Sequence, residues 1–222
     1  FQDFLRRHAR GADALYILGD LFEAWLGDDA AGEHERRVAR WLRDVADTGT
    51  PVYFLRGNRD FLLGEHYCER AGMHLLEQPI TIDLYGTPTV LLHGDTLCTL
   101  DRAYQRYRRR VHDPDWQARM LSRPVWLRRA VAGLLRLASR FRNRQPERAE
   151  MDATVPAVED VLASNGAQRM IHGHTHRPDR HLHPIGSEQR ERIVLGDWYT
   201  QGSVLTVTPD GAELRGLPRE AA

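Results

Sequence analysis

Apolar residues fall in short runs along this chain, and most runs end in a glycine beside a polar residue. Residues 14–18 (ALYIL) predict a buried strand that delivers Gly19-Asp20 at its carboxyl edge. Residues 51–55 (PVYFL) predict a second strand, running into Arg56-Gly57-Asn58-Arg59-Asp60. Residues 80–84 and 89–93 predict two strands joined by a turn at Tyr85-Gly86-Thr87-Pro88, the second ending in His93-Gly94-Asp95. Residues 169–172 predict a strand that opens on Gly173-His174-Thr175-His176. Residues 193–196 and 203–208 predict the last strands, with Asp210-Gly211 as a tight turn. Helical periodicity marks 33–48, with Val38, Trp41, Leu42 and Val45 on one face. The first twenty residues read as an amphipathic helix, a turn and a strand, a beginning that predicts further sequence ahead of Phe1.

Helices interspersed with strands, and polar motifs at strand ends, predict an α/β (α+β) fold with its chemistry at the carboxyl edge of a sheet. Charge changes this picture in one place. The 222 residues carry 31 basic and 31 acidic side chains, a net charge of zero, and every basic residue is arginine, a uniformity best read as codon bias. Between 101 and 148, fourteen arginines stand against Asp101, Asp113, Asp115 and Glu147, a net of +10, so the remainder carries about −10. Residues 125–137 fit a helix with an apolar stripe and a cationic face. Lying between predicted strands, 101–148 is expected to be a helical cap inserted into a single domain spanning 1–222. Cys68 and Cys98 are too few for a secreted disulfide scaffold and point to a reducing compartment. No run approaches the roughly 18 apolar residues that would cross a bilayer.

The chemistry lies in four motifs: Gly19-Asp20, Gly57-Asn58-Arg59-Asp60, His93-Gly94-Asp95 and Gly173-His174-Thr175-His176. Carboxylate and carboxamide oxygens with neutral imidazoles, and no thiolate, suit Mn²⁺, Fe²⁺ or Zn²⁺ in a catalytic site better than structural zinc. A bridging carboxylate can hold two ions roughly 3.5–4 Å apart, the arrangement used for in-line displacement at phosphorus. Gly-Asp, Gly-Asn or His-Gly alone is common in proteins that bind no metal, whereas two histidines two residues apart at a strand end are unusual without one. Five ligand-type residues in this order, each at a strand end, are hard to reach by accident.

The set resembles the calcineurin-like metallophosphoesterase superfamily, a double β-sandwich flanked by helices. The resemblance implies that Asp20 bridges two ions, that Asn58, His93 and His174 complete one site, and that His176 belongs to the other. It makes Asp20, Asn58 and His93 catalytic and His172 a non-ligand. The family's opening Asp-x-His has no counterpart in this chain and is expected shortly upstream of Phe1 as part of a missing strand.

Arginine follows Asn58 where many phosphatases of the superfamily have histidine. Arg59 keeps its proton, so it can neutralise charge but cannot act as an acid. That suits a diphosphate or diester better than a phosphoprotein. Longer strings at 15–29, 52–64, 91–108, 170–178 and 193–204 resemble the UDP-2,3-diacylglucosamine diphosphatase family of lipid A biosynthesis. That resemblance implies Mn²⁺ (two ions in the full-length enzyme), release of UMP and 2,3-diacylglucosamine 1-phosphate, and a two-metal-activated hydroxide attacking the α-phosphorus. It implies a peripheral monomer at the cytoplasmic face of the inner membrane that binds no nucleic acid. Substrate contacts carry over to Asn58, Arg59, Asp101, Tyr104 and His174, and on the cap to Ser139 and Asn143; the lysine expected beyond Asn143 is absent. Two other readings stay open here. One is a cyclic-nucleotide diesterase or nuclease, with the arginine-rich segment as a nucleic-acid surface. The other is a non-catalytic lipid-binding protein, should the gene lack the opening motif.

Overall fold

A computed structural model of the chain describes residues 1–142, 152–199 and 202–217, with side chains described throughout these except 135–142. The chain forms two compact units, Phe1–Glu77 with Arg106–Pro146, and Gln78–Gln105 with Glu147–Ala222.

The first unit is built on three parallel strands in sequence order, β1 (Leu15–Ile17), β2 (Val52–Leu55) and β3 (Met73–Leu76). An opening helix, α1 (Gln2–Phe4), runs into a π-helical turn at Leu5–Ala9, whose Leu5 and Ala9 are buried. Parallel neighbours need a crossover, and α2 (Glu33–Ala46) supplies the first. Its Val38, Ala39, Leu42 and Val45 join Val52 and Phe54 in the core, the face predicted from the sequence, while Trp41 is only half-buried. The crossover α3 (Glu65–Ala71), not predicted from the sequence, adds Tyr67, Cys68 and Ala71. It stops at Gly72, whose left-handed backbone (φ 69°) ends the helix.

The arginine-rich segment is helical over α4 (Arg102–Val111), α5 (Pro114–Leu121) and α6 (Val125–Arg142), and 143–148 of it lie outside the described residues. Phe61, next after the Asn58 loop, lies against His112 and Trp116 (ring centroids 5.7 and 6.2 Å). Arg128 departs from the cationic face expected of this stretch, being 3% exposed. Its guanidinium forms a bidentate pair with Asp29 and donates to the carbonyls of Arg123 and Leu26. The apolar stripe is divided as well, with Trp126 and Leu134 about 70% exposed.

The second unit carries a five-stranded mixed sheet in the order β4 (Ile80–Leu84), β5 (Thr87–Leu92), β6 (Arg169–His172), β8 (Glu188–Val194), β7 (Asp179–Ile185). The two edge pairs are antiparallel, and β5, β6 and β8 run parallel. Helix α7 (Val155–Ser164) seats Val158 and Leu162 on Val90, Leu92, Met170 and Leu97. A separate hairpin pairs β9 (Ser203–Thr208) with β10 (Gly211–Gly216). Both predicted turns differ from expectation, the first by being tighter and the second by a shift of one residue. The first uses only Tyr85 and Gly86 (φ 52° and 84°), so Thr87 and Pro88 already lie in β5. The second uses Pro209 and Asp210, with Gly211 paired to Thr208 inside the sheet. Among the strands, β3, β7 and β10 were not predicted from the sequence.

Two predictions follow from this packing. Arg128→Ala strips Leu26 and Arg123 carbonyls of their donor but leaves a mostly exposed Asp29, so urea denaturation should show a loss of about 1–3 kcal/mol. Burial raises the Cys68 and Cys98 thiols to about 12. Iodoacetamide at pH 8 should therefore leave both intact in the native protein and alkylate two per chain in denaturant.

Candidate active site

In parallel strands, register decides which loops become neighbours. Ile17 pairs with Phe54, so the residues after β1 and β2 emerge side by side at the carboxyl edge of the first sheet. The approach is close: a Cβ on Gly57 would lie 2.3 Å from Asp20 Oδ1 and 2.4 Å from the Asp20 nitrogen. Asp20 itself has left-handed backbone (φ 54°), uncommon for a residue with a side chain. Its Oδ1 accepts from the Arg59 backbone N–H at 2.9 Å. The Arg59 guanidinium stands 3.5 Å from Asp20 Oδ2 and pairs with Glu23 at 2.6 Å. Asn58 is half-buried beside it.

What keeps these loops in place is Asp60, a fully buried carboxylate. It accepts from the backbone N–H groups of Leu21 (2.7 Å), Gly57 (2.7 Å), Asp20 (3.2 Å) and Phe22 (3.4 Å). One side chain thus ties the Asp20 loop to the Asn58 loop through main-chain donors. Such charge-assisted bonds are the strong class, and they compensate the burial of the charge.

The second unit repeats the device with imidazoles. Leu92 pairs with His172, which sets His93 beside Gly173, and the Gly173 N–H donates to the His93 carbonyl at 2.9 Å. His93 is buried, and its own N–H donates to Gln78 Oε1 at 2.5 Å. His174 Nδ1 lies 3.2 Å from His93 Nε2 with the rings edge to face. His174 and His176 are both left-handed (φ 66° and 55°). Three of the five expected metal ligands therefore sit in a backbone region that costs of order 1–3 kcal/mol to hold.

His172, expected not to be a ligand, is wholly buried. Its Nδ1 donates to the Gly173 carbonyl at 2.8 Å, and its Nε2 accepts from Arg192 Nε at 3.0 Å. Burial first, and then the adjacent guanidinium, lower its pKa to about 3, so the ring is neutral. Tyr104 donates its hydroxyl to Asp95 Oδ2 at 2.8 Å, and its ring lies 5.9 Å from that of His174. Asp101 accepts from the Tyr104 N–H at 2.8 Å, capping the first turn of α4. Ser139 lies on α6 with its side chain outside the described residues, and Asn143 lies outside them altogether.

Among the described residues, no three His, Cys, Asp or Glu side chains converge closely enough to hold a metal ion. The donor types nevertheless fit one. His93 and His174 turn ring nitrogens toward each other, and Asp20 is presented by a strained backbone beside a glycine with room for nothing larger. Sequence reasoning missed Asp60, Asp95, Glu23 and Arg192. Asp60 was in view within the Gly57–Asp60 motif, but nothing in a sequence separates a carboxylate that holds backbone from one that faces solvent. Arg192 gave no signal at all.

Residues 1–178 match the calcineurin-like phosphoesterase family. The chain is 51% identical to the UDP-2,3-diacylglucosamine hydrolase of Stenotrophomonas maltophilia, over 99% of this chain and 92% of that protein. It is 50% identical to the hydrolase of the same name from Xanthomonas campestris pv. campestris (98% and 91% covered), and 49% identical to that of Xanthomonas oryzae pv. oryzae (96% and 90%).

Asp60→Ala leaves several main-chain donors without an acceptor. It should cost roughly 3–5 kcal/mol in urea denaturation, whereas Asp44→Ala on the exposed face of α2 should stay within about 0.5 kcal/mol. Equal small losses in the two variants would deny Asp60 this role.

Proposed function

The chain belongs to the calcineurin-like phosphoesterase family, and we propose that within it the protein hydrolyses UDP-2,3-diacylglucosamine to UMP and 2,3-diacylglucosamine 1-phosphate. The observation that carries this reading is identity of about half, over nearly the whole chain, to hydrolases bearing that substrate's name. A metallophosphoesterase works with a divalent cation. The proposed ligands are Asp20, Asn58, His93, His174 and His176, and the proposed cation is Mn²⁺, two ions per full-length enzyme. Bound there, such ions lower the pKa of water toward neutrality and offset charge on phosphoryl oxygens.

The chain's own residues supply the rest. Water adds to the α-phosphorus, the bond from that phosphorus to the bridging oxygen breaks, and the lipid-linked phosphate leaves. That group is a good leaving group, so no acid is required where Arg59 stands. The Arg59 guanidinium is a permanent cation already lying on the Asp20 and Glu23 carboxylates, and a diphosphate competes with Glu23 for it. The proposed substrate contacts are Asn58, Tyr104 and His174; the Tyr104 hydroxyl held by Asp95 and its ring beside that of His174 support the last two. Asp101 takes part through its cap on the same helix turn. Ser139 and Asn143 are assigned to substrate by resemblance alone.

For location, the proposal is a peripheral monomer on the cytoplasmic face of the inner membrane. No helix among the described residues is long and apolar enough to cross a membrane. Exposed Trp126, Leu134, Leu121 and Tyr107 among exposed arginines support attachment to an anionic lipid surface. One observation favours a second reading, a nuclease. Arg106, Arg109, Arg110 and Arg119 line an open cleft with Trp116 and a single carboxylate, Asp113, and four cations about an indole also suit a nucleic-acid strand.

A single assay separates them. Full-length protein with Mn²⁺ should release UMP from UDP-2,3-diacylglucosamine and leave DNA and RNA intact, and EDTA should stop the release. Asp20→Ala and His93→Ala should each lower kcat by roughly 10³-fold or more. Undiminished turnover in either variant, or nucleic-acid cleavage in place of UMP release, would sink the reading.

A further inference from the structure

The loop from Gly173 to Arg177 must hold His174 and His176 in left-handed backbone, a conformation that the loop's own residues do not favour. Besides its bonds to His93, it is supported by one side chain on another strand. Arg192 lies in β8, opposite Met170 of β6, and is 7% exposed. Through Nε it donates to His172 Nε2, and His172 in turn donates to the Gly173 carbonyl where the loop begins. Through Nη2 it stands 3.7 Å from Asp152 Oδ1. The other oxygen of Asp152 accepts from the Arg177 guanidinium, where the loop ends. One guanidinium thus reaches both ends of the loop. The His93 side is keyed to the same ring, since a Cβ on Gly94 would lie 2.6 Å from His172 Nδ1.

We propose that Arg192 is a positioning residue for the His174–His176 loop, acting through His172 at one end and through Asp152 and Arg177 at the other. The proposal rests on the reading of His174 and His176 as metal ligands. Arg192 touches neither histidine, so its effect is on how well the loop is poised for a cation. An arginine suits the position because its fork presents Nε to one partner and Nη2 to the other at a fixed separation, which a lysine cannot do with a single nitrogen.

The test is Mn²⁺ binding by isothermal titration to full-length wild type, Arg192→Gln, Arg192→Lys and Asp152→Asn, with UMP release measured at limiting and saturating Mn²⁺. Arg192→Gln should weaken Mn²⁺ binding about 10–100-fold, the range for groups that orient metal ligands from behind. Saturating Mn²⁺ should restore most of kcat and leave KM for the lipid substrate near wild type, a split that a general loss of structure would not give. Arg192→Lys should fall on the same side as Arg192→Gln. Asp152→Asn, with a third of its side chain exposed, keeps the test decisive should Arg192→Gln not fold; it should shift Mn²⁺ affinity in the same direction. Folded variants with wild-type Mn²⁺ affinity, or activity lost beyond rescue by Mn²⁺, would overturn the proposal. A wild type that takes up no divalent ion would sink the functional reading and this inference together, whereas wild-type uptake matched by the variants would sink this inference alone.

Discussion

Left-handed backbone, at Asp20 in one unit and at His174 and His176 in the other, is the constraint that each unit is built to hold. A residue with a Cβ does not rest there unless its surroundings over-determine it. Each unit meets the demand with a buried polar group aimed at main chain. In the first, Asp60 gathers four N–H groups from the loops after β1 and β2. In the second, His172 and Arg192 fix the carbonyl of Gly173. The two solutions differ in charge. A carboxylate is the natural acceptor for converging N–H groups, and a neutral imidazole fed by a guanidinium is a natural donor to a carbonyl. In both, parallel strands set neighbouring loops at one edge before any side chain contributes.

Much of this was legible in the sequence. Strand runs ending in Gly19-Asp20, at Gly57-Asn58, in His93 and before Gly173 were readable because a buried parallel strand is a short apolar block, and the glycines marked where its chain must turn. The positions of Asp20 and His93 follow from that pattern alone. What stayed hidden was partnership. Arg128 reads as one more cation on a basic helix, yet it is buried against Asp29, 99 residues away in sequence. The Pro209-Asp210 turn was displaced by one residue because Gly211, a turn former by habit, pairs inside the sheet. Strands β7 and β10 escaped notice because their edge positions leave them largely polar.

An all-arginine complement began as a compositional oddity, and the fold uses it. Arg128 addresses two carbonyls and a carboxylate at once. Glu191, though burial works against its charge, is held below the usual carboxylate range by hydrogen bonds from Arg169 and Arg180. Arg192 spans two partners in the same way. Each of these tasks needs a planar fork with several donors, so codon bias in this chain has been absorbed into structure, and exchange for lysine at these sites would not be conservative.

The contact between Gly57 and Asp20 reaches beyond the protein to the reading of genes. Oxygen, nitrogen and carbon of Asp20 all stand within 2.9 Å of where a Cβ at position 57 would be, and two of the three belong to groups that cannot move without releasing the loop. Every one of the other nineteen residues places an atom there. A related open reading frame that keeps each acidic and histidine position but has lost this glycine would still pass a motif search for ligands, although its loop could no longer close. In surveying genomes for working copies, a residue with no functional group is the more exacting marker than the ligands it makes room for.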